Sequence, residues 1–428
     1  MIILQDYLKR LLPRGVGALA GASLASQVCT LVAIPLLTRW CSMSDFGLFQ
    51  IYTLLITISG LLACLRYDYA LLQPPDPVMA ARLGGLALLA ALSSGVAALI
   101  IIPLVSTSLA TEGWMHLREL TPLVALSIAV TGLSSTATQW LVRTGRFDTV
   151  ARTRFIQSIS VATLQLTGAY AGAGGVALIV GDAIGRTAVL ILLLRGTDLL
   201  RYFPRTFGDL YHLRHLAREY IRFPLIATPS AIVNAAGFTI PTILIERYYG
   251  TAGLGIYALI ERVMGIPTLF AGQPLSQTFI HRFRTALTSS PAAARLEIGA
   301  TTRLTALIGV LPFGVLLAAG HWLFAIVFGQ QWAAAGALAQ WLALPYYFAY
   351  TFWPVMPALT ILNRLRTQFA WDAARALALL GMATIIGTLQ PSAETVIAIM
   401  AVTMAGFGFI HFLLCRQATD NTCPPTAS

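Results

Sequence analysis

The chain has 428 residues, of which AVILMFWYC make up 57% and DEKR only 11%. A water-soluble surface, where about a quarter of residues are ordinarily charged, cannot be coated with so few. The net charge of +11 raises the possibility of a nucleic-acid partner, but the basic residues are spread loop by loop rather than gathered in a patch, so no nucleic acid is expected.

Residues 1–14 set Leu8, Leu11 and Leu12 beside Lys9, Arg10 and Arg14. They read either as a short amphipathic helix on a membrane surface or as a plain basic tail. Apolar runs of about 20 residues, each able to cross about 30 Å of hydrocarbon, follow near 15–37, 46–65, 83–105, 121–142, 155–172, 174–194, 223–245, 254–280, 298–319, 336–361, 369–389 and 393–415. The first run is too long for a cleavable leader and has no small-residue cleavage site after it, so it is expected to stay as the first span.

The reading is an all-α integral membrane chain of about twelve spans. A six-helix lobe covers 15–195, a cytoplasmic linker 196–222, a second six-helix lobe 223–415 and a tail 416–428. An even number of spans puts both termini on one side.

Arginine placement gives the orientation. With the termini inside, 22 of the 28 basic residues fall in cytoplasmic segments, and only Arg39, Arg118 and Arg247 fall outside. Arg186, Arg262 and Arg375 lie within spans. Such a bias predicts cytoplasmic termini. The five cysteines are scattered, without a CxxC pair or a nearby His at ligand spacing, so no metal site and no cofactor is expected.

At an offset of 206 the halves align, Pro35 on Pro241, Gly47 on Gly253 and Leu48 on Leu254, each where the first span of its half turns into the second. Because six is even, the halves are parallel repeats, and substrate is expected between them.

The second half carries Phe223, Pro224, Pro229, Asn234, Pro241, Gly253, Tyr257, Arg262, Pro267 and Phe279; the first carries PLLTRWCSMSDFG, RYDYALLQP, Gln139, Phe147, Gln157, Gly168, Gly181 and Gly185. In this order and at these spans the pattern resembles the O-antigen type of polysaccharide flippases in the multidrug/oligosaccharidyl-lipid/polysaccharide exporter superfamily. The resemblance covers most of 15–285. It implies a V-shaped, two-lobed transporter with a central lumen in the bacterial inner membrane. By alternating access it would turn an undecaprenyl-diphosphate-linked oligosaccharide (an O-antigen, capsule or exopolysaccharide repeat unit) from the cytoplasmic to the periplasmic leaflet. A monomer working beside a polysaccharide polymerase and a chain-length regulator is the expected setting.

That cargo needs a wet, cationic path, and arginine binds phosphate through a planar fork. Arg262 lies about 12 residues, or about 18 Å at 1.5 Å per residue, from the periplasmic end of the eighth span near Gly250, close to the midplane, where a lone guanidinium costs roughly 2.5–3.5 kcal/mol. It reads as a diphosphate ligand or as a partner of Glu261. Arg66, at the cytoplasmic mouth, reads as the group that receives the diphosphate on entry or as a salt-bridge or positive-inside anchor. Arg39 and Arg247 mark the opposite end, with Glu246. Asn234, Gln139 and Gln157 are candidate sugar ligands, although such residues also join helices. Asp68, Asp182 and Glu261 are candidate proton or sodium sites. Asp182 with Arg186, at i,i+4, and Asp372 with Arg375, at i,i+3, read as structural ion pairs. The cluster Tyr346, Tyr347, Phe348, Tyr350, Phe352 and Trp353 reads as an interfacial or lipid-facing belt. The prolines of the seventh and eighth spans read as hinges.

Three rivals remain. A multidrug exporter of the same superfamily would want acids in its lumen, and a lipid II flippase usually carries two further spans. A membrane-embedded polymerase or glycosyltransferase would show a large outer loop or an acidic metal motif. Here the first outer loop holds only Asp45, and no HExxH, Walker loop or nucleophile elbow occurs, so no catalytic residue is expected.

Overall fold

The computed structural model describes residues 14–199, 210–389 and 391–420. The expected surface segment before Arg14 and part of the linker lie outside them. Among the described residues every regular element is helical. Twelve long helices follow in order: α1 Arg14–Trp40, α2 Met43–Ala63, α3 Pro77–Leu109, α4 Thr121–Arg143, α5 Phe147–Tyr170, α6 Gly174–Gly196, α7 Thr228–Pro267, α8 Gln273–Ser289, α9 Pro291–Phe328, α10 Ala333–Phe352, α11 Leu365–Leu389 and α12 Ala393–Asp420. Helix α7 breaks at Gly250, whose φ of 71° is open to glycine, so it supplies the seventh span and the start of the eighth, which α8 completes.

Local chemistry sets the helix ends. Ser42 and Asp45 form a reciprocal capping box at the start of α2, which satisfies amides the first turn leaves without partners. The other oxygen of Asp45 accepts the Gly175 amide at 2.5 Å and so pins the start of α6 to the start of α2. Asp76 followed by Pro77, and Ser290 followed by Pro291, cap α3 and α9 by accepting first-turn amides. Five-residue π-helical turns occupy Phe223–Ala227, which contains Pro224, and Thr268–Gly272, directly after Pro267. The prolines of the seventh and eighth spans thus loosen the helical ladder there without ending the helix.

The chain divides into two units, one running to Ala235 and adding Gly250–Ala252, the other taking Ala236–Tyr249 and Gly253 onward. In the first unit, α5 packs against both α1 and α6, and α3 against α4. Helices α5 and α6 approach closely because a Cβ on Gly185 would stand 2.4 Å from Val161, and one on Gly181 2.9 Å from the Gln165 amide. Small residues at such crossings replace the hydrophobic drive that lipid does not supply. Apolar side chains such as Ile100 and Leu104 on α3 are exposed, as a lipid-facing surface requires.

In the second unit α10 packs on α9 and α12, and Phe279, Phe283, Ile298, Val355 and Leu359 close one end. The aromatic belt expected at 346–353 is corrected here. Tyr350 and Phe352 are buried, Tyr347 donates to the Ala306 carbonyl, and Tyr350 packs on Phe313. The cluster lies mostly inside the bundle, with Phe348 left exposed, because its rings fill the space beside the small residue Gly309 of α9.

Candidate functional site

A polar stripe on α4 organises the first unit. Thr131, Ser134, Ser135 and Thr138 stand at i, i+3, i+4 and i+7, one face of a helix. Against this face α5 brings Arg154, itself exposed, and Gln157, and α6 brings Arg186, and together they line an open cavity of about 170 Å³. Val189 and Leu193 of α6 complete its wall, backed by the apolar packing of Ala137, Leu141 and Val150.

Helix α5 starts at Phe147 rather than near 155, because its first two turns are too polar to register as an apolar run. Arg152 and Arg154, counted with the loops, are therefore helical, and Arg154 stands about 10 Å up the helix at 1.5 Å per residue. Neither Arg154, Gln157, Ser134 nor Thr138 has a hydrogen-bond or ion-pair partner among the described residues, whereas Thr131 bonds the Ser127 carbonyl and Thr153 that of Thr149. Unpartnered polar groups that share the lining of one open cavity leave their hydrogen-bonding capacity free for water or a ligand.

Two buried carboxylates flank this cavity. Asp182, on α6, accepts the Tyr52 hydroxyl at 2.7 Å and Arg186 Nε at 2.5 Å, so the i,i+4 spacing read from sequence is a contact that α2 also joins. Asp68 accepts the Ser135 hydroxyl at 2.5 Å, and its other carboxylate oxygen is buried without a protein partner.

Asp68 sits on the short helix Tyr67–Ala70, entered through two successive left-handed residues, Leu65 at φ 47° and Arg66 at φ 61°. Non-glycine residues there are strained by roughly 1–3 kcal/mol each. Arg66 is half-buried, with its guanidinium 5.0 Å from the Tyr69 ring centre. Arg143 ties this connection to α4 by donating to the Leu71 and Pro75 carbonyls, and Tyr67 donates to the Ala217 carbonyl of the helix Leu210–Glu219.

Of the remaining candidates, Gln139 is half-buried on α4 and Arg39 exposed near the end of α1. In the second unit, Arg247 is exposed and Arg262 half-buried on α7. Glu261 accepts hydrogen bonds from the hydroxyls of Tyr346 and Tyr257. The carboxylate beside Arg262 is thus held by two phenols. Asp372 and Arg375 meet at 3.3 Å within a longer chain: Gln368 donates to Asp372 and its amide oxygen lies 2.9 Å from His411 Nε2. The side chain of Asn234 lies outside the described residues. No cluster of three or more potential metal ligands occurs among the described residues.

The family model described as "Polysaccharide biosynthesis protein" matches residues 36–337, well over half of the chain. The chain belongs to that family. No curated protein sequence matches it. Among solved structures, an inward-facing multidrug resistance MATE family transporter of the MOP superfamily superimposes with a TM-score of 0.67 at 12% identity, covering 94% of this chain and 98% of that one. The lipid II flippase MurJ in an inward closed conformation gives 0.67 at 12% identity, covering 92% and 86%. At such identities the likeness shows the fold. Family and fold bear out the resemblance in the sequence: the chain is a multi-pass membrane protein of a polysaccharide biosynthesis family, with the fold those two transporters share.

Proposed function

We propose that this family member flips a lipid-linked oligosaccharide across the bacterial inner membrane by alternating access of two six-helix lobes. The cargo is an undecaprenyl-diphosphate-linked repeat unit of O-antigen, capsule or exopolysaccharide, moved from the cytoplasmic to the periplasmic leaflet. Membership of a polysaccharide biosynthesis family on a transporter fold carries this reading. MurJ, which shares the fold, is named for flipping lipid II.

The charge pattern supports it. Arginines are kept inside apolar helices at Arg186, Arg262 and Arg375, where each is costly unless it serves an anion or a partner. Arg66, Arg39 and Arg247, with Asn234 and Gln139, are the further candidate contacts. With the arginine-rich loops and both termini in the cytoplasm, a diphosphate of about two charges moves outward with the membrane potential, worth roughly 2.3 kcal/mol per charge per 100 mV. A polymerase and a chain-length regulator would take over the product.

The test is deletion of the gene in its host, followed by analysis of surface polysaccharide and lipid-linked intermediates. The proposal expects loss of the polymer with the intermediate stalled in the cytoplasmic leaflet, restored by the wild-type gene and not by Arg262→Ala. Intact polymer together with lost drug resistance would identify a multidrug exporter instead. Loss of polymer with repeat units already in the outer leaflet would identify a polymerase.

A further inference from the structure

The cavity between α4, α5 and α6 has a lining whose chemistry selects a ligand. We propose that it is an oxyanion subsite, which takes one phosphate or carboxylate group of the cargo. The inference rests on the transport reading above and deepens it by assigning a ligand class to a pocket within the first unit.

Charge decides the sign. The two charged side chains in the lining are Arg154 and Arg186. The neighbouring acids are absent from the lining; one oxygen of Asp68 is held by Ser135 and Asp182 is held by Tyr52 and Arg186. A sodium or calcium ion wants carboxylate or carbonyl oxygens and would meet guanidinium here. An oxyanion meets a fork donor that has no protein partner, Arg154, and the hydroxyls and amide of Ser134, Thr138 and Gln157, also unpartnered among the described residues. Such charge-assisted hydrogen bonds are the strong ones.

Size narrows the group. At about 170 Å³ the cavity is smaller than the roughly 300–1,000 Å³ of sites that enclose drug-sized ligands. It suits one charged group or one sugar ring, not an oligosaccharide. Position gives the route: Thr138 lies five residues before the end of α4 and Arg154 seven after the start of α5, so the cavity lies one to two turns from the arginine-rich end, cytoplasmic in the proposed orientation. Two parts of the cargo carry an oxyanion, the diphosphate linkage and any acidic sugar, and the same donors serve either.

The experiment uses the purified full-length chain in lipid nanodiscs, with inorganic pyrophosphate, glucuronate and glucose as probes in a calorimetric titration. Arg154→Gln is the main variant. Arg154 makes no side-chain bond among the described residues, so the change is expected to leave the fold intact, which monodispersity and the melting temperature verify. Gln157→Ala is the second. Binding of pyrophosphate or glucuronate that weakens about ten- to a hundredfold in Arg154→Gln, as loss of a charged hydrogen-bond donor entails, and less in Gln157→Ala supports the subsite. Pyrophosphate alone assigns it to the linkage; glucuronate alone assigns it to an acidic sugar.

Oxyanion binding indifferent to Arg154, no oxyanion binding at all, or glucose bound as well as glucuronate overturns the proposal. Flipping of a labelled lipid-linked saccharide is measured in parallel. A chain that does not flip but binds an oxyanion through Arg154 refutes the transport reading and leaves the subsite standing. A chain that flips equally well with Arg154→Gln, and binds no oxyanion through it, does the reverse.

Discussion

The hydroxyl of Tyr52 on α2 donates to Asp182 on α6 over 2.7 Å, and Arg186 takes the same oxygen from the next turn of α6 at 2.5 Å. The carboxylate therefore has one charged and one neutral partner, and the two differ in weight. Tyr52→Phe removes a neutral hydrogen bond and is expected to lower stability by about 0.6–1.7 kcal/mol, the range for polar contacts between membrane helices. Arg186→Ala leaves a buried carboxylate uncompensated and is expected to cost about 3–5 kcal/mol. The double variant Asp182→Asn/Arg186→Gln should recover most of that loss. Thermal unfolding in detergent measures all three, and a double variant no more stable than Arg186→Ala alone would refute the pairing.

Leu65 and Arg66 enter the left-handed region in succession without a glycine between them, and this strain aims Asp68 at Ser135. Leu65 is exposed, so its side chain contributes little to packing. Leu65→Gly is expected to hold or raise stability by up to about 1 kcal/mol, since the strain relieved exceeds the added entropy of the unfolded chain. Leu65→Ile, branched at Cβ, should lower it by at least about 1 kcal/mol. The two melting temperatures moving in the same direction would show that the backbone here is unstrained.

How much of this was legible beforehand differs by element. The twelve spans were, because burial in lipid leaves a compositional mark that survives in a single sequence. The ion pair Asp182–Arg186 was, because helical spacing fixes which residues share a face. The hydroxyl stripe of α4 was written in the spacing of Thr131, Ser134, Ser135 and Thr138 but stayed hidden: serine and threonine bond their own helix backbone so often that a stripe of them reads as filler. Hydropathy places Arg154 in a loop, because it marks where a helix enters hydrocarbon, not where it starts. Sequence alone places Tyr346 in a belt because clustered aromatic residues in membrane chains often face lipid or the interface; nothing local signals Glu261, 85 positions away. The bend at Leu65 and Arg66 carries no glycine to announce it.

Helices α9 and α10 meet where Gly320 faces Gly336. A Cβ on Gly336 would fall 2.5 Å from the Gly320 carbonyl oxygen and 2.6 Å from Phe324 Cβ, and backbone cannot yield as a flexible side-chain tip can. Gly336→Val is expected to destabilise the second unit by more than about 3 kcal/mol, beyond the usual cost of overpacking, and to abolish recovery of monodisperse protein. Gly314, which faces open space and has no such neighbour, serves as the control: Gly314→Ala should be tolerated. Normal yield of Gly336→Val in size-exclusion chromatography would mean that the two helices do not approach this closely.

Glu261 differs from Asp182 in the charge of its partners. Asp182 is bound by a guanidinium, whereas the hydroxyls of Tyr346 and Tyr257 around Glu261 can donate to a carboxylate or accept from a carboxylic acid. A carboxyl able to exist in both states without losing its hydrogen bonds is suited to exchange a proton or a sodium ion during transport. Asp68, whose bonded partner is the neutral Ser135, shares this property. Vesicles carrying the transporter and a labelled lipid-linked saccharide are therefore expected to flip faster when a pH or sodium gradient is imposed. Glu261→Gln should reduce the gradient-driven rate to the rate without a gradient, Asp68→Asn should reduce it in part, and Asp182→Asn should lower protein stability while leaving the response to the gradient in place. Retention of the full response in Glu261→Gln would remove this residue from the coupling path, and a response lost only in Asp182→Asn would move the coupling site to the ion pair.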